Sequence, residues 1–347
     1  MKSNHRVASA GSIDSPAAPD LAAPKPIQRP RLPLPATVQR DQINWVYLIT
    51  LGSIHLLALA AFVPWLFSWT GVIVMLAGVH IFGQGINLCY HRQLTHRSFK
   101  TPKWLEHFFV WIAICCLQDT PARWVATHRK HHLESDHQPD PHSPLVTFLW
   151  SHVGWLLVHD RESRTISSYE RYARDVLSDP FYMWLEKKPW VMFIAYVFHA
   201  SLYFLAGFLV GYFTATTDAA MAGVQFGLSL LVWGVYVRTV VVWHITWSVN
   251  SLTHLFGYRN YDTPEYSTNN WIVGLLAVGE GWHNNHHHDQ ASATNQHRWW
   301  EIDVTYYHIR TLKWLGLATD VVEPKERRRA AAAERAKERA AAKATVK

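Results

Sequence analysis

The sequence predicts an all-α integral membrane protein with four transmembrane helices and a cytoplasmic helical cap. Four stretches, 44–69, 71–90, 190–217 and 219–247, carry no charged residue or a single one. At a rise of about 1.5 Å per residue each is long enough to cross a hydrocarbon core about 30 Å thick. The stretches come as two pairs, each pair divided by a short turn. Nine histidines cluster just beyond the stretches rather than inside them.

Composition agrees with one membrane domain rather than two soluble ones: 347 residues include 18 Trp, 14 Tyr and 15 Phe. Mean hydropathy near zero averages apolar spans with strongly polar loops. Cys89 lies in an apolar run and Cys115 and Cys116 are adjacent, so neither a disulfide framework nor a CxxC motif is present. The net charge of +7 is spread over loops and tail without a recognisable nucleic-acid module. It suits anionic phospholipid and an acidic partner protein instead.

Residues 1–40, rich in Pro, Ala and Ser, are expected to be a disordered cytoplasmic tail; they hold no apolar core of signal-peptide type. Pro64 and the Ser68–Gly71 stretch break the first pair of spans into a hairpin. Residues 104–117 mix aromatic and aliphatic side chains with Glu106 and His107, which suits an interfacial or core helix. Thr216, Thr217 and Asp218 turn the second pair. Arg238 interrupts the last span and is expected to snorkel toward the polar segment at Asn250. Residues 323–347 alternate Ala with Lys, Arg and Glu and read as a charged tail, either a solvated helix or frayed.

An even number of spans puts both termini and the long central segment on one side. Arg92, Arg97, Lys100, Lys103, Lys187 and Lys188 flank the spans on that side, while the outer turns carry no Lys or Arg. The positive-inside rule makes it cytoplasmic.

The histidines are His91 and His96 in HRQLTH, His128, His131 and His132 in HRKHH, His254 in NSLTH, and His283, His286 and His287 in HNNHH. On a helix, positions i, i+3 and i+4 share a face, so each HxxHH can converge on neighbouring points. Asn250 and His254 share a face by the same rule. His91 and His96, five apart, stand about 140° apart on an ideal helix, and need a local bend or two metals approached from different directions. Nine neutral nitrogens exceed the places around one iron but suit two irons with positions left open for oxygen. His5, His107, His137, His142, His152, His159, His297 and His308 are expected to be ordinary surface or core residues, and His288 borders HNNHH. His55, His80, His199 and His244 lie one in each span. They open a non-enzyme alternative, a b-type haem electron-transfer protein. A transporter would need its polar groups near the midplane, whereas the clusters lie at the rim.

Over about 73–317 the chain resembles the membrane-bound fatty acid desaturases, specifically the stearoyl-CoA (acyl-CoA Δ9) desaturase group. The resemblance rests on HRQLTHRSFK at His91, RWVATHRKHH ending at His132, DPHSP at Asp140 and SHVGWLLV at Ser151. It continues in TWSVNSLTHLFGYRNYD from Thr246 and AVGEGWHNNHH ending at His287. It implies a desaturase domain over 41–322 in which the nine histidines ligate two non-haem irons and Asn250 reaches one of them through water. It also implies O2 as co-substrate and a cis double bond, expected at Δ9, in a saturated acyl chain. Trp124, Trp247, Gln118 and Thr246 match positions near the family's substrate path. A di-iron acyl hydroxylase and a desaturase of other regiochemistry stay open as alternatives. Where animal acyl-CoA members have Arg-Asp and a basic pair, this chain has Ala126, Thr127, His159 and Asp160. The acyl carrier is therefore CoA, a membrane lipid or a carrier protein, with Arg161 and Arg164 as compensating charges. Electrons are expected from a separate donor, a ferredoxin, rubredoxin or cytochrome b5, docked by Arg129, Lys130, Lys187 or Lys188.

Overall fold

Two helical hairpins form the membrane part. The computed structural model describes residues 29–345. Most of the expected N-terminal tail thus lies outside the described residues. Its last residues do not behave as tail: Leu32 donates to the Leu145 carbonyl at 3.0 Å, and strand β1 (Val38–Ile43) pairs antiparallel with β2 (Val158–Asp160). Of the described residues, 31–345 belong to one compact unit.

Four helical segments are long and apolar enough to cross a membrane: Trp45–Phe62, Trp69–Thr95, Trp190–Thr214 and Ala219–His254. The first begins with α1 (Trp45–Ala58) and ends in 3-10 turns around Pro64. Ser68 caps α2 (Trp69–Gln84), its hydroxyl accepting from Gly71 N at 2.9 Å. The third is α8 (Trp190–Thr214). Asp218 caps α9 (Ala219–Leu231), and the chain continues through a π-helical turn, Val232–Val237, into α10 (Arg238–Ser251). The second hairpin closes on small residues. A Cβ on Gly207 would stand 2.7 Å from Phe226 O, and one on Gly211 would stand 2.5 Å from Ala222 O. With Gly223 and Gly227 on the facing helix, the backbones approach as in small-xxx-small packing.

Arg238 does not snorkel. It is fully buried, gives hydrogen bonds to Gly234 O (3.2 Å) and Cys115 O (3.0 Å), and lies over the Phe82 ring. Fixed carbonyls supply what headgroup water would, so the side chain clamps the fourth span to the chain at Cys115.

The central segment folds into the cap: α3 (Lys103–Ile114), α4 (Pro121–Glu134), α5 (Phe148–His152), α6 (Ile166–Leu177) and α7 (Pro180–Lys187). Pro121 starts α4 where its missing N–H costs nothing. Arg129 pins α4 through Leu94 O, Thr95 O, Tyr172 O and Asp175, and Lys130 is buried against Glu162 at 2.7 Å. Neither is free to dock a partner; Lys187 and Lys188 are exposed. Beyond the fourth span come α11 (Trp271–Leu276), α12 (His283–His288), α13 (Val304–Trp314) and the charged α14 (Lys325–Thr345).

Candidate metal centre

All nine clustered histidines meet under the cap, in two sets. His91, His96, His128, His132 and His286 form one; His131, His254, His283 and His287 form the other, each with its ligand-capable atoms within 4.8 Å of one another. The two HxxHH helices share themselves between the sets. α4 sends His128 and His132, one turn apart, to the first and His131 to the second; α12 sends His286 to the first and His283 and His287 to the second.

His91 and His96 join the same set because Gly85–Thr95 is π-helical. His96 N bonds His91 O at 3.1 Å, and the wider i→i+5 turn brings residues five apart onto one face. That is the local bend anticipated from the spacing, and the second possibility, two metals approached separately, does not hold for this pair. Gly85 opens the turn where a Cβ would stand 2.6 Å from Ala113 N of α3, so only glycine fits.

Within each set the nitrogens are spaced as the ligands of one metal would be. His91 Nε2 lies 3.1 Å from His286 Nε2, which lies 2.9 Å from His132 Nε2, itself 3.0 Å from His128 Nε2; His283 and His287 are 3.1 Å apart. Two metal–imidazole bonds of about 2.1 Å at a right angle separate their nitrogens by about 3.0 Å. The Nε2 atoms of His96, His131 and His254 are buried without a hydrogen-bond partner, the state of a donor atom reserved for something else.

Carboxylates hold the opposite edges of the rings. His91 Nδ1 gives its hydrogen to Glu280 (2.9 Å), His131 Nδ1 to Asp140 (3.0 Å) and His254 Nδ1 to Asp136 (2.7 Å); Glu265 lies 3.6 Å from His287 Nδ1. The three shorter contacts fix the tautomers of His91, His131 and His254 with Nε2 bare toward the centre. Burial alone would raise the Glu280 carboxyl, but Arg92 and His91 pull it down to about 2. His96, His128, His132, His283, His286 and His287 are held well below the ordinary histidine range by burial and then by neighbouring histidines and, for His96, arginines, so they stand neutral, the form a metal would need.

A cavity of about 70 Å³ reaches the first set. Gln118, Trp124, Thr246 and Trp247, the four residues matched to a substrate path, all line it, together with His128 and Asn250. Gln118 donates to Thr246 Oγ1 at 3.0 Å, and Trp124 stacks on His128. A larger vestibule of about 420 Å³ shares Leu51, Leu117, Thr127 and Leu156 with it. Ala126, Thr127, His159 and Asp160, the positions that depart from the acyl-CoA pattern, line this vestibule, as does Arg164; Arg161 is not among its walls.

Sequence reasoning missed the carboxylates. Asp136 and Asp140 follow HRKHH within a few residues and Glu280 precedes HNNHH, so acidic residues flanking each cluster were the available signal. It also set aside His142, which packs on His131 at 4.4 Å and lines the cavity, held by burial at about 3 and so neutral. Arg92, taken as a membrane-flanking cation, is buried between Glu280 and Asp303, both at 2.8 Å. The haem alternative fails on geometry. His55 and His244 are 3.2 Å apart, His80 pairs with His308 and His199 with Arg238. Trans ligands of one iron stand about 4.2 Å apart with a porphyrin between them.

Residues 63–313 match the family model for fatty acid desaturase. The chain is 45% identical over 287 residues to the sn-1 stearoyl-lipid 9-desaturase of Anabaena variabilis, covering 82% of this chain and 96% of that one. It is 38% identical over 321 residues to an acyl-CoA 5-desaturase of Anemone leveillei (89% and 92% covered). To the chloroplastic palmitoyl-monogalactosyldiacylglycerol delta-7 desaturase of Arabidopsis thaliana it is 40% identical over 277 residues (79% and 67% covered). With four spans, a buried double histidine set and this similarity over most of its length, the chain belongs to the fatty acid desaturase family.

Proposed function

We propose that the protein is an O2-dependent di-iron desaturase that introduces a cis double bond at Δ9 into a saturated acyl chain carried on a membrane lipid. The convergence of nine histidine nitrogens into two adjacent buried sets at the inner end of a narrow cavity supports this above all. His91, His96, His128, His132 and His286 would hold one iron and His131, His254, His283 and His287 the other, with Asn250 reaching one of them through water. Iron, when bound, supplies the O2 activation that cleavage of an unactivated methylene C–H requires.

The protein's own contribution is placement and dryness. Leu51, Leu117, Trp243 and Trp247 wall the narrow cavity and exclude water, while the Gln118–Thr246 hydrogen bond closes one side. A methylene pair held beside His128 is fixed by how far the chain enters, which sets the bond position.

The vestibule favours a lipid over CoA. Two of its cations are neutralised, Arg123 lying 3.6 Å from Asp119 and Lys130 between Glu162 and Asp160, which leaves the exposed Arg164 on the wall. A crevice of about 600 Å³ between the first and third spans, walled by Ile54, Leu57 and Phe193, also has Leu117 on its wall. A lipid tail can enter sideways from the bilayer by that route. The relative at 45% identity is itself a stearoyl-lipid desaturase. Electrons come from a separate ferredoxin, rubredoxin or cytochrome b5, with the site, the termini and exposed Lys187 and Lys188 on the cytoplasmic face.

The test is expression in cells that supply such a donor, with new fatty acids analysed by lipid class, chain length and bond position. A Δ9 monounsaturated acyl group appearing first in glycerolipid is expected. A hydroxylated product would favour the hydroxylase, and product confined to acyl-CoA would overturn the lipid carrier.

A further inference from the structure

Leu117 stands where three cavities meet. Among the described residues it alone lines the vestibule, the narrow cavity and the crevice between the first and third spans, and it alone is common to the last two. Ile49, Leu57 and Val197 line the crevice and are exposed, so it opens toward the bilayer. No charged residue lines it among the described residues. Vestibule and crevice also share Thr50 and Phe193, which lets one lipid keep its head group in the first and a tail in the second.

The backbone at this junction is unusual and tied down. α3 ends at Ile114, and Leu117 follows at a φ of +50°, in the left-handed region where glycine is the common helix terminator. Glycine would relax the turn, whereas leucine keeps an isobutyl group at the meeting point and bears the strain. Leu117 N donates to Ile114 O at 2.9 Å, and the Cys115 and Cys116 carbonyls receive Arg238 at 3.0 Å and Trp243 at 2.7 Å. On the other side Gln118 donates to Thr246 at 3.0 Å. A loop held in this way opens a passage by turning the Leu117 side chain, which is half-buried and packs on the edges of two hydrophobic clusters.

We propose that the Leu117 side chain is the partition between the bilayer crevice and the narrow cavity, and that it selects lipid-borne acyl chains by their width at the point of crossing. The proposal deepens the lipid-desaturase reading and rests on it for the chemistry that follows the crossing. A straight run of methylenes passes a turned isobutyl group. A methyl branch adds one carbon of width beside a fixed backbone, and a difference of one carbon in an apolar passage is enough to discriminate about tenfold or more.

Photolabelling of the full chain in nanodiscs tests this without turnover. The probe is phosphatidylcholine with a diazirine at carbon 10 of its sn-1 acyl chain, and the labelled residues are read by mass spectrometry. Wild type is expected to be labelled in the crevice, at Ile54 or Phe193, and in the narrow cavity, at Thr246 or Trp247. L117F is expected to lower cavity labelling about tenfold and leave crevice labelling in place. L117A and L117G are both expected to raise the cavity share, and to let a methyl-branched phosphatidylcholine compete for the cavity where it does not compete in wild type. Unchanged cavity labelling in L117F, or cavity labelling without crevice labelling in wild type, means that the chain arrives from the vestibule and overturns the proposal. So does an effect of L117G that L117A lacks, since backbone relaxation rather than side-chain bulk would then be responsible. If L117F fails to fold, the two smaller variants and the branched competitor still decide. Failure of the desaturase reading is a separate result, absence of unsaturated product from a wild type that labels as expected.

Discussion

The Glu280 carboxylate takes the Nδ1 hydrogen of His91 at 2.9 Å. Its other oxygen receives Arg92, the next residue, which also reaches Asp303, so a single buried acid fixes a ring of the first set and ties it to α13. E280Q keeps the shape but leaves Arg92 partly uncompensated. Loss of an orienting acid is expected to weaken metal binding about 10- to 100-fold, and loss of one partner of a buried pair to destabilise the fold by about 3 kcal/mol. Bound iron per chain and thermal unfolding in detergent measure the two effects separately. Unchanged iron content in E280Q would remove Glu280 from the site.

His96 and His131 stand in different sets, and each has a buried Nε2 without a hydrogen-bond partner. H96A and H131A are expected to lose iron and product together while inserting into the membrane normally, as H286A does for the ring that touches both His91 and His132. H107A, which removes one contact of 3.3 Å to Asp179 near the surface, is expected to retain most activity. Full activity in any of the first three would remove that residue from the ligand set.

The four spans were legible because a charge-free run of given length is a property of the chain alone, and each HxxHH was legible because α4 and α12 supply the ordinary helical spacing. The spacing of His91 and His96 called for a bend as one of two possibilities, but the π-helical form of that bend was not legible, since it depends on α3 packing against Gly85. Arg238 looked like an interfacial cation because sequence cannot show the Cys115 carbonyl, 123 residues away, that receives it. Asp136 could be seen beside HRKHH, but its partner is His254, 118 residues on. Pairings closed by the tertiary fold leave no periodicity to read.

Asp175 holds α4 from outside the site, bonding Arg129 and Arg97. Burial would raise its carboxyl, but the two guanidinium groups hold it at about 2. An unfolded aspartate titrates near 3.9, so the stability Asp175 contributes is complete above that pH and is lost as pH falls through about 2. The group is half-exposed, and solvent screening reduces the contribution to about 1 kcal/mol. D175N is therefore expected to unfold more readily than wild type at pH 6, with the difference shrinking below pH 4. A difference independent of pH would mean that shape, not charge, accounts for the contact.

Lys130 bears on which carrier the vestibule accepts. It is buried against Glu162 at 2.7 Å and lies 3.7 Å from Asp160, so the one cation deepest in the wall is already neutralised. An acyl-CoA head group, rich in phosphate, would need more charge than the exposed Arg164 alone offers on this wall. The double variant D160N/E162Q frees Lys130 and is expected to make free CoA a competitive inhibitor, where wild type is insensitive. It should do so without changing bond position, because the narrow cavity beside Thr246 and Trp247 is untouched. Inhibition of the wild type by CoA at concentrations comparable with the variant's would show that the acidic pair does not exclude phosphate. A shift in bond position would instead show that the vestibule, rather than the narrow cavity, sets how deeply the chain enters.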